Sequence, residues 1–160
     1  MEWRQQVEIG EIIFSIFAVV FCTICSVYDI RTKTVPFFFL LAGLVFTAVS
    51  RLTFAHPLLE YKYWLITAAC AGLFYFTVRL ITWGKLGTAD ILFGLFQGLV
   101  LPVTGFIICL IIECITSAIA FLVLKICRKS FSSEQSESVK LPFIPFMAVG
   151  LIFSLLLYLI

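Results

Sequence analysis

Residues 85–90 read Lys-Leu-Gly-Thr-Ala-Asp and separate two long apolar runs, 63–83 and 91–124. A helix needs about 20 apolar residues to cross a bilayer, because it rises about 1.5 Å per residue. The apolar residues of both runs are continuous and do not alternate, so they favour helices over the strands of a membrane barrel. The break therefore predicts a chain that crosses a membrane as helices and turns at this hexapeptide.

The composition extends this prediction to the rest of the chain. Of the 160 residues, 62% are hydrophobic and 12% are charged, and the mean hydropathy is +1.16. These values exclude an ordinary soluble domain. The net charge of +2 gives no indication of nucleic-acid binding. Because the N-terminus is acidic and lacks a basic segment, we expect no cleavable signal peptide.

The apolar runs predict an all-α integral membrane protein, a bundle of six transmembrane helices in a single domain over residues 1–160. One helix over 91–124 would be about 51 Å long, against a hydrocarbon core about 30 Å thick. We therefore expect Pro102, with Thr104 and Gly105, to divide this run in two. A serine-rich, charged segment at about 128–140 is expected to be a flexible loop. The predicted elements are a short external arm at 1–11 and spans at 12–28, 36–50, 63–83, two within 91–124, and 141–160.

Lysine and arginine residues are distributed unevenly among the predicted loops. Eight fall in the first, third and fifth loops: Arg31, Lys33, Arg79, Lys85, Lys125, Arg128, Lys129 and Lys140. Three fall on the opposite side: Arg4, Arg51 and Lys62. Since basic loops stay in the cytoplasm, this asymmetry places the odd-numbered loops there and both termini outside. Asp29 and Asp90 then lie on the same, cytoplasmic face.

Asp29 and Asp90 are the only aspartates of the chain. Asp29 directly follows one apolar run, and Asp90 directly precedes another. Two carboxyl groups a few ångströms apart share a proton, because both cannot ionise cheaply. Amide hydrolysis needs one group that takes a proton from water and another that gives a proton to the carbonyl oxygen. The two residues therefore predict a hydrolytic pair that requires neither a metal nor a cofactor.

Each acidic residue in or beside the apolar segments could also have a purely structural role. Asp90 could only cap the fourth helix, and Asp29 could lie solvated in the first loop beside Arg31. Glu113 falls near the middle of a span, where a carboxylate indicates a functional site by default. Its structural explanation is a protonated acid that is hydrogen-bonded to a neighbouring helix. The six cysteines form no set of four zinc ligands, so we expect them to be packing residues.

Three segments resemble the signatures of the type IV prepilin peptidase family. Residues 29–36, which begin Asp-Ile-Arg and end Val-Pro, resemble the first signature. Residues 85–90 resemble the second, Lys-x-Gly-x-Gly-Asp. Residues 141–146, Leu-Pro-Phe-Ile-Pro-Phe, resemble the Pro-Phe-Gly-Pro-Phe entry to the last helix of the family. The segments occur in the family's order over nearly the whole chain, which resembles a short form without the N-terminal methyltransferase region.

This resemblance implies a membrane aspartyl peptidase of the Gly-x-Gly-Asp class in the plasma membrane of a prokaryote. Such enzymes serve type IV pilus and protein secretion systems, and they cut the basic leader from prepilins or pseudopilins just after a glycine, at the cytoplasmic face. By motif position, Asp29 and Asp90 would be the catalytic pair, and Gly87 would shape the approach to Asp90. Pro36 would open the second helix. Three basic residues near the motifs would contact lipid head groups: Arg31, Lys33 and Lys85.

The chain departs from the family pattern at two positions. Ala89 stands where the second motif has its second glycine, and Phe37 follows Pro36 where the first motif has asparagine. Alanine resists a positive φ, so the first departure matters if the site needs one. One alternative is therefore a catalytically silent protein that binds pilin-like helices. Another is a small transporter subunit, although two aspartates at one membrane face favour it less than acids at mid-membrane would.

Overall fold

The computed structural model describes residues 2–54, 58–84, 86–130 and 142–159. Within these ranges the regular structure is entirely α-helical, which confirms the all-helical part of the predicted fold. The helices are α1 (Glu2–Thr32), α2 (Phe37–Phe54), α3 (Leu58–Ile81), α4 (Thr88–Val100), α5 (Val103–Ser130) and α6 (Ile144–Leu159).

The helices fall into two groups by length. Among the described residues, three segments are long and apolar enough to cross a membrane: Gly10–Thr32, Lys62–Ile81 and Val103–Ile126. Three shorter apolar helices accompany them: Phe37–Thr53, Thr88–Val100 and Ile144–Leu157. The 13 residues of α4 rise only about 20 Å, which is less than the thickness of a hydrocarbon core. A crossing by all six helices therefore stays a prediction.

Helix α1 extends beyond the predicted first span at both ends. Residues 2–11, which were predicted to form a short external arm, are helical, because α1 begins at Glu2. The loop predicted from Asp29 onward is also shorter than expected. Asp29 lies in the last turn of α1, where its carbonyl accepts the N–H of Lys33 at 2.8 Å. The helix ends there because Lys33 takes a left-handed conformation with φ 55°.

Pro102 separates α4 from α5, as the sequence predicts. Leu101 before it is extended, with φ −103° and ψ 142°, the conformation that a following proline favours. Thr104 and Gly105, which we expected to belong to the break, lie inside α5. Helix α5 continues to Ser130, so the start of the predicted 128–140 loop is helical. Residues 131–141 lie outside the described part of the chain.

Helix α4 lies at the centre of the bundle. It packs along α3 and α2 and also contacts α5 and α6. Phe93 and Phe96 of α4 are almost completely buried, and the Phe96 ring lies 5.0 Å from the ring of Phe21 in α1. The backbones of α3 and α4 come very close, since a Cβ at Gly98 would stand 2.5 Å from the Cα of Ala68. The neighbouring helices therefore fix the position of α4 on several sides.

A buried arginine holds the C-terminal end of α4. Arg51 of α2 donates from Nε to the Leu99 carbonyl at 3.2 Å and from Nη2 to the Val100 carbonyl at 2.9 Å. These carbonyls belong to the negative end of the helix dipole, where a cation is stabilising. Arg51 also pairs with Glu11 at 2.7 Å and lies over the ring of Trp64. We expected Arg51 in a polar loop, but it lies in the last turn of α2 and is buried.

Candidate active site

Asp29 is buried at the C-terminal end of α1, with 7% of its surface exposed. Its Oδ2 accepts the backbone N–H of Ile144 at 3.3 Å. Ile144 is the first residue of α6, so its N–H has no partner within that helix. The positive end of the α6 dipole also favours a negative charge at this place. Asp29 therefore joins two helices and is not a solvated loop residue.

Asp90 is buried in the first turn of α4, with 8% of its surface exposed. Its Oδ2 accepts the backbone N–H of Gly87 at 2.9 Å. Gly87 is the N-cap residue of α4 and Asp90 stands three positions later, so this bond is one half of a capping box. Asp90 is thus not the N-cap itself, although it does help to begin the helix. The bond uses one of its two carboxyl oxygens.

The structure brings the two aspartates together at the same end of the bundle. Burial raises the pKa of Asp90, which lies outside the three long spans, to about 6. The N–H of Gly87 lowers this pKa, the nearby charge of Asp29 raises it, and the charge of Arg79 lowers it. A carboxyl group with a pKa near 6 gains and loses protons close to neutral pH, as general acid–base catalysis requires.

Arg79 is a site residue that the sequence analysis did not identify. Its side chain is half-buried at the end of α3, and Nη1 donates to the Leu86 carbonyl at 3.2 Å. The guanidinium therefore ties the end of α3 to the turn before Gly87, and its charge acts on Asp90. The available signal was its place in the chain, since Arg79 closes the helix before the short turn that leads to Asp90.

Gly87 leaves space beside the carboxyl group of Asp90. Its φ of −69° and ψ of 157° are extended, so the backbone alone does not require glycine here. A Cβ at this position would stand 3.2 Å from Oδ2 of Asp90, closer than ordinary van der Waals contact. The absent side chain therefore keeps one side of the carboxyl group open.

Ala89 fits the local backbone without strain. It lies in the first turn of α4, and the described residues other than glycine that have a positive φ are Lys33 and Trp83. The methyl group packs against the buried core of the bundle. The alanine that stands in place of the motif glycine therefore adopts an ordinary helical conformation.

The remaining motif residues lie around the two aspartates or on the surface. The Pro36 carbonyl accepts the N–H groups of Phe39 and Leu40 and so begins the first turn of α2. Arg31 is exposed in the last turn of α1. Lys85 lies outside the described residues. Of the predicted site residues, the structure thus brings Asp29, Asp90 and Gly87 together and leaves Arg31 at the surface.

Glu113 lies in a separate polar cluster inside the bundle, with 2% of its surface exposed. Its carboxyl group is hydrogen-bonded to the hydroxyl of Tyr75 in α3 and to Nε2 of Gln97 in α4 at 2.6 Å. The thiol of Cys109, one turn earlier in α5, donates to Oε1 at 3.1 Å. Within the described ranges, no group of three or more histidine, cysteine, aspartate or glutamate residues is arranged to hold a metal ion.

Comparison with known proteins identifies the family. The model of the type IV leader peptidase family matches residues 16–122, a range that contains both Asp29 and Asp90. No curated protein and no solved structure matches the chain significantly. The matched range is well over half of the chain. The chain therefore belongs to the type IV leader peptidase family.

Proposed function

We propose that this protein is an aspartic endopeptidase that removes the leader peptide from prepilin-like or pseudopilin precursors, with Asp29 and Asp90 as its catalytic pair. One observation carries the proposal. The only two aspartates of the chain come from different helices, and they are buried together at one end of the bundle. Membership of a peptidase family supports peptide-bond hydrolysis as the reaction of this pair.

The chemistry follows from two carboxyl groups that share one proton. The ionised group takes a proton from a water molecule, whose oxygen attacks the carbonyl carbon of the scissile peptide bond. The protonated group gives its proton to the carbonyl oxygen, so a neutral tetrahedral diol forms. The carbon–nitrogen bond then breaks as one carboxyl group protonates the leaving amine and the other takes a proton from the diol. The products are a carboxylic acid and an amine, and the pair ends with one proton as it began.

The surroundings of Asp90 suit this reaction. Burial keeps its carboxyl group partly protonated near neutral pH, while Arg79 and the N–H of Gly87 stabilise the ionised form. Both forms are therefore accessible at one pH. The open side at Gly87 lets a peptide backbone approach Asp90, because a side chain there would crowd Oδ2. We assign Gly87 to substrate approach, Arg79 to the electrostatics of Asp90, and no chemical role to the exposed Arg31.

The setting we propose is the plasma membrane of a prokaryote, with the aspartate pair at the cytoplasmic face. The basic residues of the odd-numbered loops support this orientation. All six helices would form one membrane domain over residues 1–160, in which the three shorter helices cross the membrane together with the three long spans. Both termini would then lie outside, and the basic leader of the precursor would meet the enzyme at the cytoplasmic side.

Leader cleavage by purified protein in detergent tests the proposal. A synthetic prepilin-like peptide with a basic leader, a glycine at the junction and an apolar segment is incubated with wild-type protein, Asp29→Asn or Asp90→Asn. Mass spectrometry then identifies the bond that is cut. Wild-type protein should cut after the glycine, and each variant should lose about 10²–10⁴-fold in rate, as expected for the loss of a general acid or base.

The matched control is Glu11→Gln, the same exchange of carboxyl for amide at the opposite end of the bundle. The amide oxygen can still accept a hydrogen bond from Arg51, so the control should cleave like wild type. Robust cleavage by either aspartate variant would remove that residue from the mechanism. A wild-type protein that binds the peptide without cutting it would support the alternative of a silent binding protein.

A further inference from the structure

Four helices meet at the polar cluster around Glu113. Its buried side chains are Tyr75 of α3, Gln97 of α4, and Cys109 and Glu113 of α5. Nε2 of Gln97 donates to Oε1 of Glu113 at 2.6 Å and to the carbonyl of Met147 in α6 at 2.9 Å. Gln97 therefore links α4, the helix that carries Asp90, to both α5 and α6.

Three of these side chains make a closed triangle of polar contacts. The Tyr75 hydroxyl is hydrogen-bonded to Oε2 of Glu113 and lies 3.3 Å from Oε1 of Gln97. A tyrosine hydroxyl has a single hydrogen, so it cannot donate to both oxygens at once. All three contacts are satisfied when Glu113 is a neutral acid. Glu113 then donates to Tyr75, Tyr75 donates to Gln97, and Gln97 donates to Glu113.

The surroundings fit a ring without charge. A lone carboxylate inside an apolar bundle would be costly, whereas the neutral acid has a partner for its hydrogen. In the described part of the chain, every buried side-chain nitrogen and oxygen has a hydrogen-bond partner. Two glycines also make room for the ring. A Cβ at Gly94 would stand 2.1 Å from the Tyr75 ring, and a Cβ at Gly150 would stand 2.7 Å from Cγ of Glu113.

Two helices connect this triangle to both aspartates. On α4, Gln97 follows Asp90 by two turns, and both side chains are buried. On α6, Met147 follows Ile144 by one turn. The Met147 carbonyl accepts from Gln97, and the Ile144 N–H donates to Asp29. A shift of α4 along α6 would therefore move one aspartate relative to the other.

We infer that Tyr75, Gln97 and Glu113 form an uncharged hydrogen-bond ring. The ring fixes Gln97, whose bond to the Met147 carbonyl positions α4 against α6, and with these helices Asp90 opposite Asp29. The consequence for rate rests on the proposed function. The three residues are positioning residues, since their side chains are buried within the bundle and away from the aspartates. Displacement of reacting groups by about 1 Å can cost about 10²-fold in rate. Breaking the ring should therefore lower kcat and leave KM unchanged.

The sharpest variant is Tyr75→Phe, which removes one hydroxyl and keeps the aromatic ring in its place beside Gly94. It opens the ring at two contacts, and we expect kcat to fall at least about tenfold, within the range for small displacements. Tyr63→Phe is the matched control, because Tyr63 is exposed on the same helix. That control should have the kcat and KM of wild type.

Glu113 provides a test by conservative rescue. Glu113→Gln keeps an N–H that donates to Tyr75 and an oxygen that accepts from Gln97, so most of kcat should remain. Glu113→Leu removes both and should lose about 10²-fold. Should Glu113→Leu fail to fold, Tyr75→Phe and Glu113→Gln still decide the matter. Loss of cleavage in Glu113→Gln to the level of Asp90→Asn, or a wild-type kcat in Tyr75→Phe, would overturn the inference.

Infrared spectroscopy tests the ring without reference to cleavage. A protonated carboxylic acid has its own carbonyl stretching band, which a carboxylate lacks. At neutral pH this band should be present in the Asp29→Asn, Asp90→Asn double variant, in which the aspartate pair no longer holds a proton, and it should be missing when Glu113→Gln is added to that variant. Absence of a Glu113-dependent band would overturn the neutral ring. If the band is present but wild-type protein does not cleave the peptide, the proposed function fails and the ring stands.

Discussion

Helix α4 contributes to two polar regions: Asp90 belongs to the aspartate pair, and Gln97 belongs to the cluster around Glu113. The two regions differ in how many hydrogen bonds their carboxyl groups make. Among the described residues, the carboxyl groups of Asp29 and Asp90 each accept one backbone N–H. The carboxyl group of Glu113 is bonded to three side chains. A carboxyl group whose oxygens are all engaged holds helices together. A pair that keeps oxygens available can still accept and release protons.

The two regions also differ in what surrounds them. The aspartates lie at helix termini, beside backbone N–H groups that α6 and α4 cannot satisfy internally. The carboxyl group of Glu113 lies inside α5, away from any helix terminus, and its hydrogen-bond partners are the side chains of Tyr75, Gln97 and Cys109. This difference explains why the first region can meet a peptide from outside and the second cannot. Changes to the packing of α4 and to the surroundings of Asp90 test this comparison.

The largest effect on stability should come from Gly98→Ala, in the part of α4 that packs against α3. The new Cβ would stand 2.5 Å from the Cα of Ala68 and 2.8 Å from the Thr67 carbonyl, and backbone atoms cannot move aside easily. Overpacking of this kind costs about 1–3 kcal/mol. Gly72→Ala is the control, since its Cβ would meet the flexible end of the Leu95 side chain. Thermal unfolding in detergent should separate the two; equal midpoints would contradict the close packing of α3 and α4.

Gly87→Ala should affect the chemical region and spare stability. The new methyl group would lie 3.2 Å from Oδ2 of Asp90 and on the side that we assign to the substrate. We expect kcat/KM to fall about tenfold, which corresponds to about 1.4 kcal/mol, with an unchanged melting temperature. The extended backbone at this position accepts alanine. Full activity in this variant would show that the peptide approaches Asp90 from another side.

Ala89→Gly restores the family motif and should change little. Ala89 is helical, so glycine there should lower the free energy of unfolding by at most about 1 kcal/mol. The rate of leader cleavage should stay within about twofold of wild type, because the methyl group faces the core rather than Asp90. The same peptide assay and melting curve measure both quantities. A large loss of activity would mean that the motif works through a backbone other than this helix.

Arg79→Gln should shift the pH dependence and leave the other properties nearly unchanged. The charge of Arg79 lowers the pKa of Asp90, so its removal should move that pKa upward from about 6. Asp90 then keeps its proton to a higher pH, and the limb of the cleavage profile that depends on protonated Asp90 should move to higher pH. A profile that stays in place or moves to lower pH would show that Arg79 does not act on Asp90.

The sequence predicted the helical fold and the break at Pro102, because apolar run length and proline act locally. It also predicted that Asp29 and Asp90 share one face, since the distribution of basic residues constrains orientation. Local patterns said nothing about Arg51, whose burial depends on the carbonyls of Leu99 and Val100 on another helix. The sequence likewise did not predict the roles of Gln97 and Tyr75, because their hydrogen bonds form only when α3, α4 and α5 are packed together.

The most direct test of the account asks whether the two aspartates act as one unit. Leader cleavage is measured for Asp29→Asn, Asp90→Asn and the double variant, with the melting temperature of each. Groups that share one proton lose their function together, so each single variant should lose about 10²–10⁴-fold in rate, and the double variant should be no slower than either. All three should fold. Losses that multiply in the double variant, or robust cleavage by either single variant, would contradict a shared catalytic pair.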